Sequence, residues 1–402
     1  MPGRNVRAKL DLESPAHRAL PPPEPGAVTF DVVTMPALVE ADWRSLAALP
    51  RNSLHQSFDW ACAWWRARRL APLILRGRQA GRTVMLLPLE IIHRRGLRVA
   101  GLPGERFNNL NTGLFSDDFP EPDEEQLNDL LAGLRRVLAG YADILLLDTL
   151  PASLAGSPHP LRRLMAIEHP DRSLQLPLLS TMDETVNQLN AKTRRKRFRQ
   201  QCRRLEALGG FDHYCPENRR GQHELLDLFF RQKSERLAAL GLPDVFRPAD
   251  VRRFFHDLAD RSEAGPDFPL RLHALRLRGR YEGRIVAVGG LSRKGGHVLC
   301  QFGSIDDRLC PDASPGELLF WLMIEQSCRE GATVFDFGLG DQPYKRSWCT
   351  QETTTYDILL PLSRKGALAQ PVLASAMRLK KAIKNNAMLY SLVQRLRAAA
   401  PL

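Results

Sequence analysis

The order of predicted elements constrains the fold of this chain more than any other feature. From about Val28, two helices precede antiparallel strands, a helix and a buried strand, "ADILLLDTL" at 142–150. The second half repeats this order and closes it with the helix and strand of "SPGELLFWLMIEQSCREGATVFDFGLG" at 314–340. No residue-level repeat accompanies the repeated order. It predicts an α+β protein of two tandem units, each a mixed, mostly antiparallel sheet flanked by helices.

Composition shifts along the chain suggest where the units begin and end. The first 27 residues are polar and proline-rich, with "PPPEP" at 21–25, and they predict a disordered segment. The remaining segments are an N-terminal unit at 28–180, a basic linker helix at 181–209, a C-terminal unit at 210–365 and a C-terminal amphipathic helix at 366–402.

Composition also limits the class of protein. The chain has 402 residues, 44% of them hydrophobic and 25% charged, which is typical of a globular protein with two or three domains. Its net charge of +12 favours anionic partners: phosphorylated ligands, nucleic acid or an acidic membrane surface. The longest apolar run, 318–324, is far shorter than the roughly 20 residues that span a bilayer, and no secretory signal is visible. We therefore expect a soluble protein.

The cysteines and the absence of several known motifs argue against metal sites, disulfides and some enzyme classes. Seven cysteines without a CxxC pair predict neither a zinc cluster nor a disulfide framework, and they fit a reducing cytoplasm. No dense cluster of His, Cys and acids indicates a metal site. The sequence contains no GxGxxG, P-loop, HExxH or GxSxG motif, so it gives no support to the enzyme classes that use them.

Two predicted helices each allow two interpretations. The segment "SFDWACAWWRARRL" places four side chains on one apolar face, which fits core packing or a ligand site: Phe58, Ala61, Trp64 and Trp65. Between Lys192 and Arg204 there are eight Lys or Arg and no acid, which fits nucleic-acid binding, a solvated face or a domain linker. No nucleic-acid motif adjoins this basic helix, so a solvated face or a domain linker is favoured over nucleic-acid binding.

The turn before the second buried helix is a candidate anion site. Ser314 suits the N-cap, Pro315 the first turn, and Glu317 completes a capping box with the serine. Free N–H groups and the helix dipole at such a turn can bind an anion, although the same residues also serve a plain helix start. Arg308, upstream, could add charge to a bound phosphate.

The strand end "FDFGLG" at 335–340 carries further candidate residues. Asp336 stands between two phenylalanines, where burial would raise its carboxyl pKa and suit a general base. Alternatively, it accepts hydrogen bonds from a neighbouring loop. Gly338 and Gly340 allow unusual backbone angles or the close approach of a ligand.

Three polar residues follow this strand within five positions. Asp341 could cap the short turn that carries the other two. Lys345 could bind phosphate or carboxylate, and Tyr344 could donate a proton or orient a substrate. Since they gather directly after a buried helix and strand, the cluster favours a functional site.

Three stretches of the chain together resemble a known family. They are "HQSFDWACAWW", "KTRRKRFRQQCRRLEALGG" and "SPGELLFWLMIEQSCREGATVFDFGLGDQPYKRSW". Over roughly residues 30–365 the chain is similar to GNAT-type acyltransferases of bacterial cellulose and exopolysaccharide biosynthesis, the CelD/BcsL group. This group is distantly related to the Fem aminoacyltransferases. The strand ending in FDF, followed by glycine, Asp and Tyr-Lys, is the most specific part.

The resemblance implies two GNAT-like folds and transfer of an acyl group from acyl-CoA, with acetyl-CoA as the expected donor, to an amine or hydroxyl. It implies that the helix begun by Ser314 holds the donor pyrophosphate. The cofactor-binding residues are then Arg308, Ser314, Gly316, Gly338 and Gly340. The catalytic residues are then Asp336 as base or orienting acid, Tyr344 as orienter or acid, Lys345 as an anion contact, and Asp341.

One departure leaves other donors and functions open. The loop after Arg308 reads "LCPDASPG" where the family usually has a glycine-rich motif, and Pro311 and Pro315 have no N–H to offer a phosphate. An aminoacyl carrier therefore remains an alternative donor, as in a Fem-like transferase that uses aminoacyl-tRNA. A non-enzymatic module that binds polyanions or a polysaccharide synthase is the other alternative. The sequence names neither the acceptor nor the oligomeric state, and association with membrane polysaccharide machinery is an expectation from the resemblance alone.

Overall fold

The computed structural model describes residues 28–119, 121–262, 265–306 and 308–386. The predicted disordered segment and the end of the predicted C-terminal helix, 387–402, lie outside the described residues. The strands of the described part are β1 (Thr29–Val33), β2 (Leu73–Gln79), β3 (Arg82–Arg94), β4 (Leu97–Gly101), β5 (Leu114–Phe115), β6 (Ile144–Pro151), β7 (Ser153–Leu154), β8 (Ser157–Pro158), β9 (Ile167–Pro177), β10 (Phe211–Tyr214), β11 (Phe268–Leu277), β12 (Ile285–Lys294), β13 (His297–Ile305), β14 (Val334–Leu339) and β15 (Gln351–Pro361).

Helices cover the sheet and connect its strands. Within the same residues the α-helices are α1 (Glu40–Ala48), α2 (Phe58–Arg68), α3 (Glu124–Leu138), α4 (Met182–Asn187), α5 (Ala191–Glu206), α6 (Arg219–Ala239), α7 (Ala249–Asp260), α8 (Pro315–Arg329), α9 (Pro343–Trp348) and α10 (Arg364–Asn385). None of these described helices combines the length and apolarity that a membrane span requires.

One mixed sheet runs through both halves of the chain. Its strand order is β1-β2-β3-β4-β6-β15-β9-β14-β13-β12-β11-β10, with β5 paired to β3. The order is symmetric about the antiparallel β15–β9 pair. On one side β15 pairs antiparallel with β6, which pairs parallel with β4; on the other side β9 pairs antiparallel with β14, which pairs parallel with β13. The strands beyond β4 and β13 are antiparallel to their neighbours. The predicted α+β fold with two similarly ordered units is confirmed.

Each half contributes its last strand to the sheet of the other half. The strand β9 precedes the second half in sequence but pairs with β14, and β15 ends the second half but pairs with β6. This exchange joins the halves through backbone hydrogen bonds as well as side-chain packing. The proposed division of the chain into segments, with boundaries near residues 180 and 210, stays a prediction.

The aromatic face of α2 is core, as the more common interpretation held. Trp60 and Trp64 are fully buried and pack edge-on against Phe254 of α7, with ring centroids 5.1 and 5.0 Å apart. The two helices belong to different halves, so these tryptophans join the halves in one hydrophobic cluster.

Two predicted helices have different bounds in the structure. The basic segment expected to form one long helix is divided into α4 and α5, because Asn190 interrupts it and its side chain accepts a hydrogen bond from the N–H of Thr193. The C-terminal helix, expected from residue 366, begins at Arg364, since the side chain of Ser363 accepts a hydrogen bond from the N–H of Gly366. Side-chain capping at these positions outweighed the apolar periodicity.

Candidate active site

The parallel strands β13 and β14 separate soon after they pair. Only three residues of each strand are in register, His297–Leu299 with Val334–Asp336. Beyond that point β13 continues to Ile305 and β14 to Leu339 without pairing to each other. The backbone groups on the facing edges of this split need other partners, because buried N–H and C=O groups are rarely left unpaired.

Asp336 lies at the point of separation and is fully buried. It accepts four hydrogen bonds: from Ser173 Oγ at 2.7 Å, Gln175 Nε2 at 2.7 Å, Gly338 N at 2.7 Å and His297 Nε2 at 3.1 Å. Burial alone would raise the carboxyl pKa, but the hydrogen bond and charge of His297 and the bonds from Ser173 and Gln175 hold the pKa below its ordinary value. The predicted raised pKa is therefore wrong.

Asp336 accepts hydrogen bonds, as the second of its two sequence interpretations held, but the donors lie on strands and not on the neighbouring loop that was expected. The donors lie on β9, β13 and β14, and each carboxylate oxygen accepts two hydrogen bonds from them. Such a carboxylate is fixed in place and has no lone pair left for a substrate proton. Its role as general base stays a prediction that these contacts do not favour.

His297 connects this buried acid to a cavity of about 400 Å³ between the two halves. The side chain is 26% exposed and lines the cavity together with His55, Gln175 and Lys294. Sequence reasoning did not single out His297, whose local signal is its position directly after the turn formed by Gly295 and Gly296. The partner acid lies 39 positions away along the chain, so their pairing leaves no pattern in the sequence.

His55 and Gln301 form a second polar contact between the halves. The Nδ1 of His55 bonds the carbonyl oxygen of Leu110 at 2.8 Å, and its Nε2 bonds Gln301 Nε2 at 3.2 Å. The first contact requires a proton on Nδ1, so Nε2 accepts from the amide. Burial lowers the pKa of His55 to about 4. The imidazole is thus neutral at physiological pH.

Asn109, from the first half, fills part of the split between β13 and β14. Its Nδ2 donates to Gln301 Oε1 on β13 at 3.2 Å, and its Oδ1 accepts from the N–H of Leu339 on β14 at 3.2 Å. One side chain therefore bridges the two strands where they no longer bond each other.

The glycines after Asp336 have the backbone angles that the sequence predicted. Gly338 has φ +72°, Gly340 has φ +106°, and a side chain at Gly338 would begin 2.5 Å from Asn109 Oδ1. The first glycine is thus required both by its conformation and by the close approach of Asn109. Whether either glycine contacts a cofactor stays a prediction.

Lys345 is buried and supports the same strand end. Its Nζ donates to the carbonyl oxygens of Leu339 at 2.7 Å and Gly338 at 3.3 Å. Burial lowers the pKa of the ammonium group, and nearby acidic groups oppose that shift. Because two of its three N–H donors hold β14, one is left for the predicted anion contact.

Tyr344 lies one residue earlier, on α9, with 46% of its surface exposed. Its ring stacks on Phe320 of α8, with centroids 5.5 Å apart and planes 13° apart. Desolvation around the ring raises the pKa of the hydroxyl, so the phenol keeps its proton at neutral pH. That state is compatible with the predicted proton donor.

Asp341 does not cap the following turn. The residue before α9 is Gln342, and no side chain caps this helix. Asp341 instead forms an ion pair with Arg346 at 2.7 Å, and Arg346 also contacts Glu352 at 2.9 Å. The hydrogen bond from Arg346 lowers the pKa of the Asp341 carboxyl. The predicted cap is wrong because the arginine of the next turn binds this carboxylate more strongly than backbone N–H groups can.

The turn before α8 begins the helix where predicted but without the predicted capping box. Ser314 has φ +46° and its side chain makes no capping hydrogen bond. Glu317 instead bonds Arg194 of α5 at 2.6 Å. Gly316 lies against β13, since an added Cβ would be 2.7 Å from Ile305 Cγ2. Packing of α5 and β13 on the turn has replaced local capping.

Arg308, the predicted phosphate contact, is bound to acids in this structure. Its guanidinium donates twice to Asp306, at 2.8 and 2.9 Å, and lies 3.5 Å from Glu235. The hydrogen bond from Arg308 lowers the pKa of Asp306. The guanidinium is nevertheless 69% exposed, so an anion in the loop could reach it.

The basic helix α5 packs beside the site and buries one of its arginines, Arg194. Arg194 bonds Glu317 of α8 and the carbonyl oxygen of Ser347, and its guanidinium lies 3.9 Å from the ring centre of Trp348. The remaining cations include six that are exposed: Lys192, Lys196, Arg197, Arg199, Arg203 and Arg204. The helix thus joins α8 to α9 on one face and carries positive charge on the other.

Residues 192–346 match the family model of the acetyltransferase (GNAT) domain. This region runs from α5 to α9 and includes the separating strands, the turn before α8 and the Asp336 cluster. The fold is that of a GNAT-type acyltransferase. A search of curated proteins finds no match.

Two solved structures extend the likeness to both halves. The structure of FemX is 14% identical, covers 85% of this chain and 99% of its own, and has a TM-score of 0.60. The C-terminal domain of an Agrobacterium fabrum protein named as a lysylphosphatidylglycerol synthetase is 11% identical, covers 85% of this chain and 96% of its own, and has a TM-score of 0.50. At these identities the likeness concerns the fold. The finer resemblance to the cellulose and exopolysaccharide group stays a prediction, because the matched model describes GNAT domains in general.

Proposed function

We propose that this protein transfers an acyl group from acyl-CoA, with acetyl-CoA as the first candidate donor, to an amine or hydroxyl of a small molecule or saccharide. The observation that carries the proposal is the separation of β13 and β14 after three paired residues, in a region that matches the GNAT domain. Strand edges that have lost their neighbour can bind an extended, amide-containing chain such as the pantetheine arm of CoA.

The turn at Ser314 is the proposed pyrophosphate site. Pro315 has no N–H, and the N–H groups of Glu317 and Leu318 both bond the Ser314 carbonyl oxygen, which leaves the N–H of Gly316 for a phosphate. The Glu317 carboxylate would repel an anion, but Arg194 and Arg197 neutralise it at 2.6 and 3.6 Å. Arg308 adds an exposed guanidinium from the preceding loop.

The proposed chemistry is direct attack of the acceptor on the thioester carbonyl. Tyr344, as a neutral phenol, would donate a proton to the leaving thiolate, and Lys345 would use its third N–H on an anionic group of either substrate. Asp341 would act through Arg346, which holds α9 and therefore the position of Tyr344. Gly338 and Gly340 would let the backbone of β14 approach the acyl group.

Calorimetric titration with acetyl-CoA tests the proposal. Binding should also raise the free energy of unfolding, by about 2.7 kcal/mol at a ligand concentration of 100 times Kd. Ser314→Glu, which places a negative charge at the turn, should weaken binding at least tenfold. Ser45→Glu adds the same charge to an exposed position on α1 and should leave Kd unchanged. Failure of acetyl-CoA and longer acyl-CoAs to bind would rule out this donor class.

The exposed cations of α5 favour a second candidate, a Fem-like aminoacyltransferase that takes its donor from aminoacyl-tRNA. The helix packs directly beside the proposed donor turn, and Arg204 bonds the carbonyl oxygen of Asp312. Fluorescence anisotropy with bulk tRNA distinguishes the candidates, since binding should weaken steeply with salt. Replacing Lys196, Arg199 and Arg203 by serine should weaken tRNA binding but leave acetyl-CoA binding intact.

A non-enzymatic module that binds polyanions or a polysaccharide synthase would behave differently. It would bind polyanions through α5, release no product from any acyl donor, and be insensitive to changes at Asp336 or Lys345. The proposed place in exopolysaccharide biosynthesis and a peripheral link to membrane machinery rest on the sequence resemblance, and the proposed cytoplasmic location rests on the cysteine usage. Acyl transfer to purified saccharide acceptors, followed by mass spectrometry, would test the first of these.

A further inference from the structure

The cavity of about 400 Å³ lies between the halves and has walls from both. Leu54, His55 and Leu110 come from the first half, while Lys294, His297 and Leu299 come from the hairpin of β12 and β13. A volume of this size is typical of sites for small molecules. The cavity reaches the closed end of the β13–β14 split, because Leu299, the last residue of β13 that pairs with β14, lines it.

His297 is held with one ring nitrogen bound and the other free. Nε2 bonds Asp336 Oδ2 at 3.1 Å, so the proton of the neutral ring lies on Nε2 and the lone pair on Nδ1. Within the described residues Nδ1 has no hydrogen-bond partner, and it is not buried. A ring with a fixed tautomer and an open lone pair is the arrangement that general bases use.

The surroundings of His297 keep this lone pair available. Asp336 on β14 is an anchored carboxylate that stabilises an imidazolium. His55, before α2, stays neutral and does not repel a protonated neighbour. Lys294, on the same hairpin, directs its ammonium group to the carbonyl oxygens of Leu49 and Asn52, the former at 2.7 Å. Asp267, also in the cavity wall, accepts a bond from Gly295 N at 2.7 Å.

We propose that the cavity binds a small amine or alcohol as the acyl acceptor and that His297, oriented by Asp336, removes the proton of its nucleophilic group. The inference deepens the proposed function and rests on it. The acceptor nitrogen or oxygen forms a bond to the thioester carbonyl carbon while its proton passes to His297 Nδ1. The C–S bond then breaks, the thiolate leaves with the electron pair and takes the proton of Tyr344, and the imidazolium passes its proton through water to the tyrosinate, so that both groups return to their starting states.

Release of the CoA thiol from acetyl-CoA, with hydroxylamine as the probe nucleophile, tests His297. The variant His297→Ala should lower kcat about 100-fold with KM for acetyl-CoA within threefold. Added imidazole should restore at least a tenth of the wild-type rate, because it can occupy the vacated space and accept the proton. The control His93→Ala, at an exposed position of β3, should leave both constants unchanged.

Asp336→Asn separates the positioning role from the catalytic one. An amide cannot stabilise the imidazolium, so kcat should fall at least tenfold, KM should not change, and imidazole should not rescue the rate. Circular dichroism and calorimetric binding of acetyl-CoA establish that each variant is folded.

The outcomes distinguish this inference from the proposed function. If the wild type binds no acyl-CoA, the proposed function fails and His297 loses its role with it. If the wild type binds acetyl-CoA but releases no thiol to hydroxylamine, or if folded His297→Ala keeps more than half of the wild-type kcat, only the inference is overturned. A folded His297→Ala variant that imidazole cannot rescue also overturns it.

Discussion

The Nδ2 of Asn109 donates a hydrogen bond to the Oε1 of Gln301 at 3.2 Å, across 192 positions of sequence. The same side chain accepts a bond from Leu339 N, so the first half of the chain supplies the link between two strands of the second half. A donor that binds in this split must bind beside Asn109 or displace it.

Asn109→Ala should therefore weaken the junction of the halves. Loss of the bridge leaves the amide of Gln301 and the N–H of Leu339 with fewer partners, and the free energy of unfolding should fall by about 1–2 kcal/mol. Urea denaturation measures the change. The control Asn128→Ala, at an exposed site on α3, should not destabilise the protein. Equal stability of Asn109→Ala and the wild type would show that the bridge contributes nothing.

Gly338→Ala should destabilise the protein more than Gly331→Ala. Both glycines have similar positive angles, φ +72° and +74°, so both substitutions cost about 1 kcal/mol in backbone strain. Nothing lies near a Cβ at Gly331, whereas one at Gly338 meets Asn109. We expect at least 1 kcal/mol of additional loss in thermal or urea unfolding. In an Asn109→Ala background the two glycine substitutions should cost the same, and a persisting difference would contradict the contact.

Glu90→Gln should stabilise the protein above neutral pH. Burial raises the pKa of Glu90 to about 7, although a hydrogen bond from Trp64 opposes this, and Oε1 has no partner among the described residues. Since the native state binds this proton more tightly than the unfolded state, stability from Glu90 is complete below about pH 4.5 and declines towards pH 7.

The amide does not ionise, so the gain over the wild type should reach about 3 kcal/mol at pH 8 and vanish near pH 4.5. Unfolding measured at the two pH values tests the sign. Glu125→Gln, on the exposed face of α3, should show no such pH dependence. If Glu90→Gln were only as stable as the wild type at pH 8, water or structural relaxation would already accommodate the charge of the Glu90 carboxylate.

Arg194→Lys should destabilise the protein by about 2 kcal/mol, because a lysine cannot contact Glu317, Ser347 and the Trp348 ring together. Arg199→Lys, on the exposed face of the same helix, should change the free energy of unfolding by less than about 0.5 kcal/mol. If the two variants unfolded at the same urea concentration, Arg194 would be no more important than a surface cation.

Local signals in the sequence determined the elements and part of the site. The spacing of apolar residues identified α2 as a core helix and α8 as a buried one, because burial requires a periodic apolar face. Glycine at 338 and 340 indicated unusual backbone angles, since other residues rarely adopt them. The repeated order of elements gave the α+β fold with two similar units.

Local signals failed where a distant group was the better partner. Glu317 was expected to complete a capping box and instead pairs with Arg194, which is 123 positions away. Burial was expected to raise the pKa of Asp336, but donors on β9 and β13 reverse that effect. A charged hydrogen bond to a buried carboxylate outweighs both local tendencies, and its partner cannot be read from neighbouring residues.

By itself the sequence predicted most of the helices and strands, their repeated order, and which strand end would carry the polar cluster, but it did not predict β1 or β9. The tertiary structure alone decided that β9 and β15 exchange between halves, that His297 pairs with Asp336, and that Asn109 enters the split. These contacts join residues separated by tens to hundreds of positions. Their geometry depends on how the whole sheet twists and closes, and no local pattern of residues encodes that.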